Sequence, residues 1–141
     1  MPATEWDENY TPSESEPYMN PHMLEFFRRK LLAWKDEILA ESKLTIEHLQ
    51  TEHSALPDMA DRASTEAEHA LELRTRDRQR KLISKIDDAI RRIIDGEYGY
   101  CEETGEPIGI PRLMARPVAT LSVEAQERHE RNERVQRDDW T

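Results

Sequence analysis

Leu56-Pro57-Asp58-Met59-Ala60-Asp61-Arg62-Ala63 is a short acidic break between two long stretches with helical patterning. Past Pro21, no proline interrupts residues 21–53 before the break or 63–95 after it. Each stretch is 33 residues long, about 50 Å as a helix at about 1.5 Å per residue. Folded back on each other, they form a coiled-coil hairpin with Asp58 and Asp61 at its far end. Such an arm is suited to reaching into a partner.

Working outward, the first stretch opens at Asn20-Pro21. Asn is a favoured N-cap, and proline suits the first helical position, where its missing N–H needs no partner. Leu24, Phe27, Leu31, Trp34 and Ile38 follow at spacings of 3, 4, 3 and 4, an a/d seam. The second stretch begins with small residues, Ala63, Ala67 and Ala70, and continues with Ile83, Ile86, Ile90 and Ile93. Antiparallel pairing would bring Phe27 and Leu31 to Ile90 and Ile93. The seam fades too early for a long oligomeric coiled coil, so a monomer is expected. Gly96 suits the left-handed residue that ends a helix.

The fold class expected is mainly all-α, in three parts. Residues 1–20 are an acidic tail, which Trp6, Tyr10 and Tyr18 could dock onto the body. Residues 21–95 are the hairpin, with its tip at 56–63. Residues 96–141 are a small turn-rich module followed by a C-terminal helix. In that module Ile108 and Ile110 alternate, which predicts a short β-hairpin. Ser122, with Glu124 in the first turn, predicts the start of the last helix, and the chain beyond Asp138 should fray.

Composition fits an elongated helical protein. Of 141 residues, 36% are hydrophobic and 35% charged, with a formal net charge of −10. That charge disfavours general binding to nucleic-acid phosphates. No apolar stretch is long enough to span a membrane, and no signal peptide is visible, so a cytoplasmic location is expected. The single cysteine excludes an intramolecular disulfide.

Asp58 and Asp61 admit two readings. Either could cap the second helix, and either could reach a basic pocket or a bound metal in a partner. Arg74, Arg78, Lys81, Lys85 and Arg92 share one helix face and make a basic ridge in an acidic protein. It could engage an acidic surface or a phosphate-rich ligand, or pair with Glu41 and Glu47. Cysteine at positions 101, 104, 122 and 125 would give a C-x2-C-x17-C-x2-C zinc site. Only Cys101 is present; Thr104, Ser122 and Ala125 occupy the others. One thiolate does not hold structural zinc, so the body must close by packing and turn hydrogen bonds, with Cys101 buried. No phosphate-binding glycine loop, H-E-x-x-H motif or nucleophile with an adjacent base is visible, so no enzyme activity is expected.

Several separated segments resemble the DksA/TraR family of transcription factors. They are Pro57–Ala63, with the D-x-x-D-x-A tip; Leu71–Ile83; Gly99-Tyr100-Cys101-Glu102; and Ile108–Pro117. The resemblance spans roughly residues 20–130. It implies a factor that binds RNA polymerase directly, without sequence-specific DNA binding, by entering the secondary channel on the β′ subunit. It also implies action with guanosine tetraphosphate (ppGpp), repressing ribosomal RNA promoters and activating some biosynthetic ones. The implied tip residues are Asp58, Asp61 and Ala63, and Arg78 is the implied docking residue on the polymerase rim. The implied ppGpp contacts are Leu82, Lys85 and Arg116, with Gln126 where the family usually has Lys. The loss of three cysteines places the chain with the zinc-independent variants, with no intrinsic cofactor. Two alternatives remain: a Gre-like transcript-cleavage factor, whose tip carboxylates would hold a second Mg²⁺, and a structural coiled-coil adaptor.

Overall fold

A computed structural model of the protein describes residues 6–52 and 59–139, with side chains described for 6–48 and 62–136. Among these residues lie four helices: α1 (Pro21–Glu52), α2 (Met59–Asp95), α3 (Ile110–Ala115) and α4 (Val123–Asp139). They pack as two compact units. The body comprises Met1–Leu31 with Ala89–Thr141, and the arm comprises Leu32–Asp88. The first turns of α1 and the last turns of α2 thus pack with the body. The reason is Phe27, whose ring lies against Tyr98 with centroids 5.5 Å apart.

The helix ends follow the expected chemistry. Asn20 caps α1: its Oδ1 accepts from the Met23 N–H at 3.0 Å, and its carbonyl accepts from Leu24 at 3.0 Å. At the end of α2, Gly96 takes φ 76°, and the Glu97 and Tyr98 N–H groups donate to the Arg92 carbonyl at 2.9 and 3.1 Å. Ser122 caps α4 through its hydroxyl, which accepts from the Ala125 N–H at 3.2 Å.

Met23, Phe27, Leu31, Ala89, Tyr98, Ile108, Ile110, Leu113, Val118 and Ala125 are buried in the body. The tail lies on α1: the Tyr10 ring is 4.1 Å from His22 and 5.9 Å from Phe26, and the Arg29 guanidinium sits 4.6 Å over the Trp6 ring. Tyr10 also donates to the Glu16 carboxylate. Burial, then this acidic neighbour, push the Tyr10 pKa up to about 12.

The β-hairpin expected around Ile108 and Ile110 shrinks to one antiparallel bridge, Tyr100 with Pro107. It is flanked by Cys101 N–H to Glu106 O and Ile108 N–H to Gly99 O, both 2.8 Å. Ile110 instead opens α3. Pro111 occupies a first-turn position that needs no donor, and Ile110 and Leu113, three apart, both reach the core.

The arm is thinner. Ile38 and Ile86 are buried, while Leu39, Leu44, Leu71 and Leu73 stay exposed. Across it, Lys35 pairs with Asp87 at 2.7 Å, His48 with Glu72 at 3.0 Å, and Gln79 donates to Glu41 at 3.4 Å. Glu41 thus meets a glutamine rather than the basic ridge. The second helix also includes Met59, four residues before the expected start at 63. Met59, Ala60 and Arg62 are residues that favour helix. Among the described residues no helix is long and apolar enough to cross a membrane.

Candidate functional site

At the tip, Asp61 lies inside α2, two residues past Met59. It therefore does not stand at the N-cap position, which lies outside the helix, and the capping reading falls for this residue. Its side chain, and all of Asp58, lie outside the described residues. Ala63 is exposed on α2.

On the arm, Arg74, Arg78, Lys81 and Lys85 are all exposed along α2. Arg74, Arg78 and Lys81 border an open cavity of about 420 Å³ with Leu71 and Asp77. Arg74 donates to the Ala70 carbonyl at 3.3 Å and Arg78 to the Thr75 hydroxyl at 3.2 Å. These local bonds leave charge free to meet anions. Leu82 is half-buried beside them. Arg92 departs from the ridge. It belongs to the body, where it pairs with Glu102 at 2.9 Å and donates to the Glu97 and Tyr100 carbonyls at 3.1 and 2.8 Å. Helical spacing put Arg92 on the ridge, but could not show that the chain after Gly96 folds back over it.

In the body, Arg116 follows α3, is exposed, and donates its backbone N–H to the Arg112 carbonyl at 2.7 Å. Gln126, in the first turn of α4, is half-buried and donates to Glu130 at 3.4 Å. Of the four residues implied for ppGpp, Leu82 and Lys85 thus lie in the arm, and Arg116 and Gln126 in the body.

The four degenerate zinc positions fall into one corner of the body. Cys101 is buried. Burial raises its pKa, but hydrogen bonds from the Thr104 hydroxyl and the Ser122, Thr104 and Glu103 backbone outweigh that and hold the thiol down to about 6. Thr104 in turn accepts from the Glu106 N–H at 3.3 Å. Glu103 also pairs with His129 of α4.

Residues 23–93 match the N-terminal domain of the DnaK suppressor protein DksA. Residues 96–131 match the prokaryotic dksA/traR C4-type zinc finger. The fold and its matched segments therefore define a helical arm joined to a zinc-finger-derived body, and the chain belongs to the DksA family.

Among its relatives is the RNA polymerase-binding transcription factor DksA of Caulobacter vibrioides, 70% identical over 93% of this chain and 92% of that protein. The factor of the same name from Escherichia coli K12 is 46% identical over 83% of this chain and 78% of its own length. The structure of transcription factor DksA2 from Pseudomonas aeruginosa superimposes with a TM-score of 0.77 at 44% identity, covering 83% of this chain and 90% of that one.

The C4 finger implies zinc, and the residues here do not fit it. Ala125 is fully buried and has no side-chain donor atom. The Ser122 hydroxyl is engaged as a helix cap, and the Thr104 hydroxyl is turned to the thiol. Structural zinc requires four ligands, and Cys101 alone is a thiolate candidate.

Proposed function

We propose that this chain is a transcription factor that binds RNA polymerase directly, reaching the secondary channel on the β′ subunit with its arm. In this reading the tip residues Asp58, Asp61 and Ala63 approach the polymerase active site, and Arg78 docks the arm on the rim of the channel. The factor shifts promoter-complex stability together with ppGpp, which Leu82, Lys85 and Arg116, with Gln126, contact at the polymerase interface. It acts in the cytoplasm as a monomer, without intrinsic cofactor or zinc and without reading DNA sequence.

The observation that carries this reading is the exposed cationic face of α2, Arg74, Arg78, Lys81 and Lys85, in a chain of net charge −10. The net negative charge of the protein repels nucleic acid at long range, and its local cationic ridge engages an anionic surface at short range. The Caulobacter vibrioides and Escherichia coli relatives, both RNA polymerase-binding transcription factors, support the same partner.

The test is run-off transcription from a ribosomal RNA promoter with purified chain and polymerase, with and without ppGpp, a metal chelator present throughout. Inhibition should occur and deepen with ppGpp. Asp61→Asn should keep its helical circular dichroism and its polymerase binding while losing inhibition. Cleaved RNA from stalled complexes would transfer the tip to the cleavage class of factors. Absence of polymerase binding would leave the adaptor reading.

A further inference from the structure

In a C4 finger one metal ion ties four side chains together and so fixes the loops that carry them. The loop 99–109 of this body keeps its shape without the residues for such a tie. Its two ends are glycines, and both meet one side chain from the tail. The Tyr18 hydroxyl donates to the Gly99 carbonyl at 2.7 Å and accepts from the Gly109 N–H at 3.0 Å. Its ring stands edge-on to Tyr100, centroids 5.6 Å apart.

The tail segment is itself braced. Asn20 donates its side-chain amide to Glu16 at 2.9 Å and to the Pro17 carbonyl at 2.8 Å. Met19 takes φ 54°, an uncommon conformation for a residue with a Cβ. Its side chain covers Gly99 so closely that a Cβ there would lie 2.8–2.9 Å from Met19 atoms. Gly99, at φ 92°, thus answers both a backbone and a contact requirement.

We propose that the tail segment around Tyr18 is the clasp of this body: the single Tyr18 hydroxyl, bonded to Gly99 and Gly109, fixes both ends of the 99–109 loop in a body that lacks the residues for a four-ligand metal tie. The inference rests on the reading that the body closes without zinc. The neutral phenol is essential, because it donates at one end of the loop and accepts at the other. The half-burial of Tyr18, which raises its pKa, keeps it in that form. Phenylalanine at position 18 would leave the Gly109 N–H without this partner, whereas Gly99 O would retain the Ile108 N–H. An unpaired enclosed donor is more costly than a hydrogen bond merely exchanged with water.

The test uses the full chain in chelator, with Tyr18→Phe beside Tyr100→Phe, whose lost hydroxyl makes no hydrogen bond among the described residues. Amide exchange at 99–109 and the thermal midpoint are the readouts. Tyr18→Phe should speed exchange across the loop roughly tenfold and lower Tm by about 5 °C or more. Tyr100→Phe should do neither. The same pair is then measured in a Thr104→Cys, Ser122→Cys, Ala125→Cys background loaded with zinc, where the effect of Tyr18→Phe should largely vanish.

If Tyr18→Phe does not fold in chelator, the zinc-loaded background decides. Folding there supports the clasp, and failure there overturns it. Exchange in Tyr18→Phe equal to that of Tyr100→Phe also overturns it, while leaving the zinc-free reading intact. Loss of wild-type structure on chelation alone overturns the zinc-free reading and the clasp with it.

Discussion

The body and the arm are held by different kinds of contact. In the body, side-chain pairs such as Glu103 with His129 are accompanied by long-range hydrogen bonds from side chain to backbone: Tyr18 to Gly99, Tyr98 to the Pro117 carbonyl at 2.7 Å, and Arg112 to the Leu121 carbonyl at 2.9 Å. In the arm they run between side chains, as in Lys35 with Asp87 and Gln79 with Glu41. A bond to a main-chain carbonyl fixes the path of the chain. A bond between two exposed side chains fixes little beyond their rotamers. The body is therefore a shaped scaffold, and the arm is a helical surface whose charges remain available to a partner.

The largest break in this comparison should come from the body core. Phe27→Ala removes a fully buried ring and should cost about 3–5 kcal/mol in urea denaturation. Leu71→Ala, on the exposed face of the arm, should stay within about 0.5 kcal/mol. Similar losses from the two would erase the distinction.

The next effect is pH-dependent and belongs to the body. The Cys101 thiol titrates at about 6 in the folded chain, below its ordinary 9.0. A depressed acid pKa favours folding wherever the unfolded chain still binds the proton. This contribution is complete above pH 9.0, shrinks as pH falls, and is gone below about 6. The melting temperature of the body should accordingly rise by several degrees from about pH 5.5 to about pH 8. Cys101→Ser should flatten that rise, and an equal rise in the serine variant would remove the thiolate from the account.

Smallest of all should be the arm's exposed ion pair. Lys35→Met should cost no more than about 1 kcal/mol, and Asp87→Asn about the same, because solvent screens the pair. A double-mutant cycle measures the coupling. A value well above that would show that the arm, too, relies on specific cross-links.

The residues that could be read from the sequence were those whose role is local. Asn20 and Gly96 mark helix ends by their own conformational preferences, and the Phe27, Leu31 and Ile38 spacing marks a buried face. Where the meaning depended on a distant segment, the sequence was ambiguous. Ile108 and Ile110 alternate like strand residues, yet Pro111 and Leu113 draw Ile110 into α3. Arg92 shares a helix face with the ridge, yet the chain after Gly96 returns carbonyls to it. Tyr18 could be read as a docking aromatic, but nothing local indicated that its hydroxyl would meet Gly99 and Gly109. The spacing of Arg74, Arg78, Lys81 and Lys85 puts them on one helix face, but only the structure distinguishes an exposed face from one paired with Glu41 and Glu47.

Gly96 and Gly105 share a property that separates them from Gly99. Both have positive φ, 76° and 74°, and a Cβ on either would meet nothing within 4 Å. Their demand is therefore one of handedness and not of room. At these two turns the chain asks for the mirror image of an ordinary amino acid. A D-alanine placed there by chemical synthesis would adopt the positive φ without the penalty an L residue meets and would narrow the wandering of the unfolded chain. At Gly99 the demand is also one of room, because an ordinary L side chain would meet Met19.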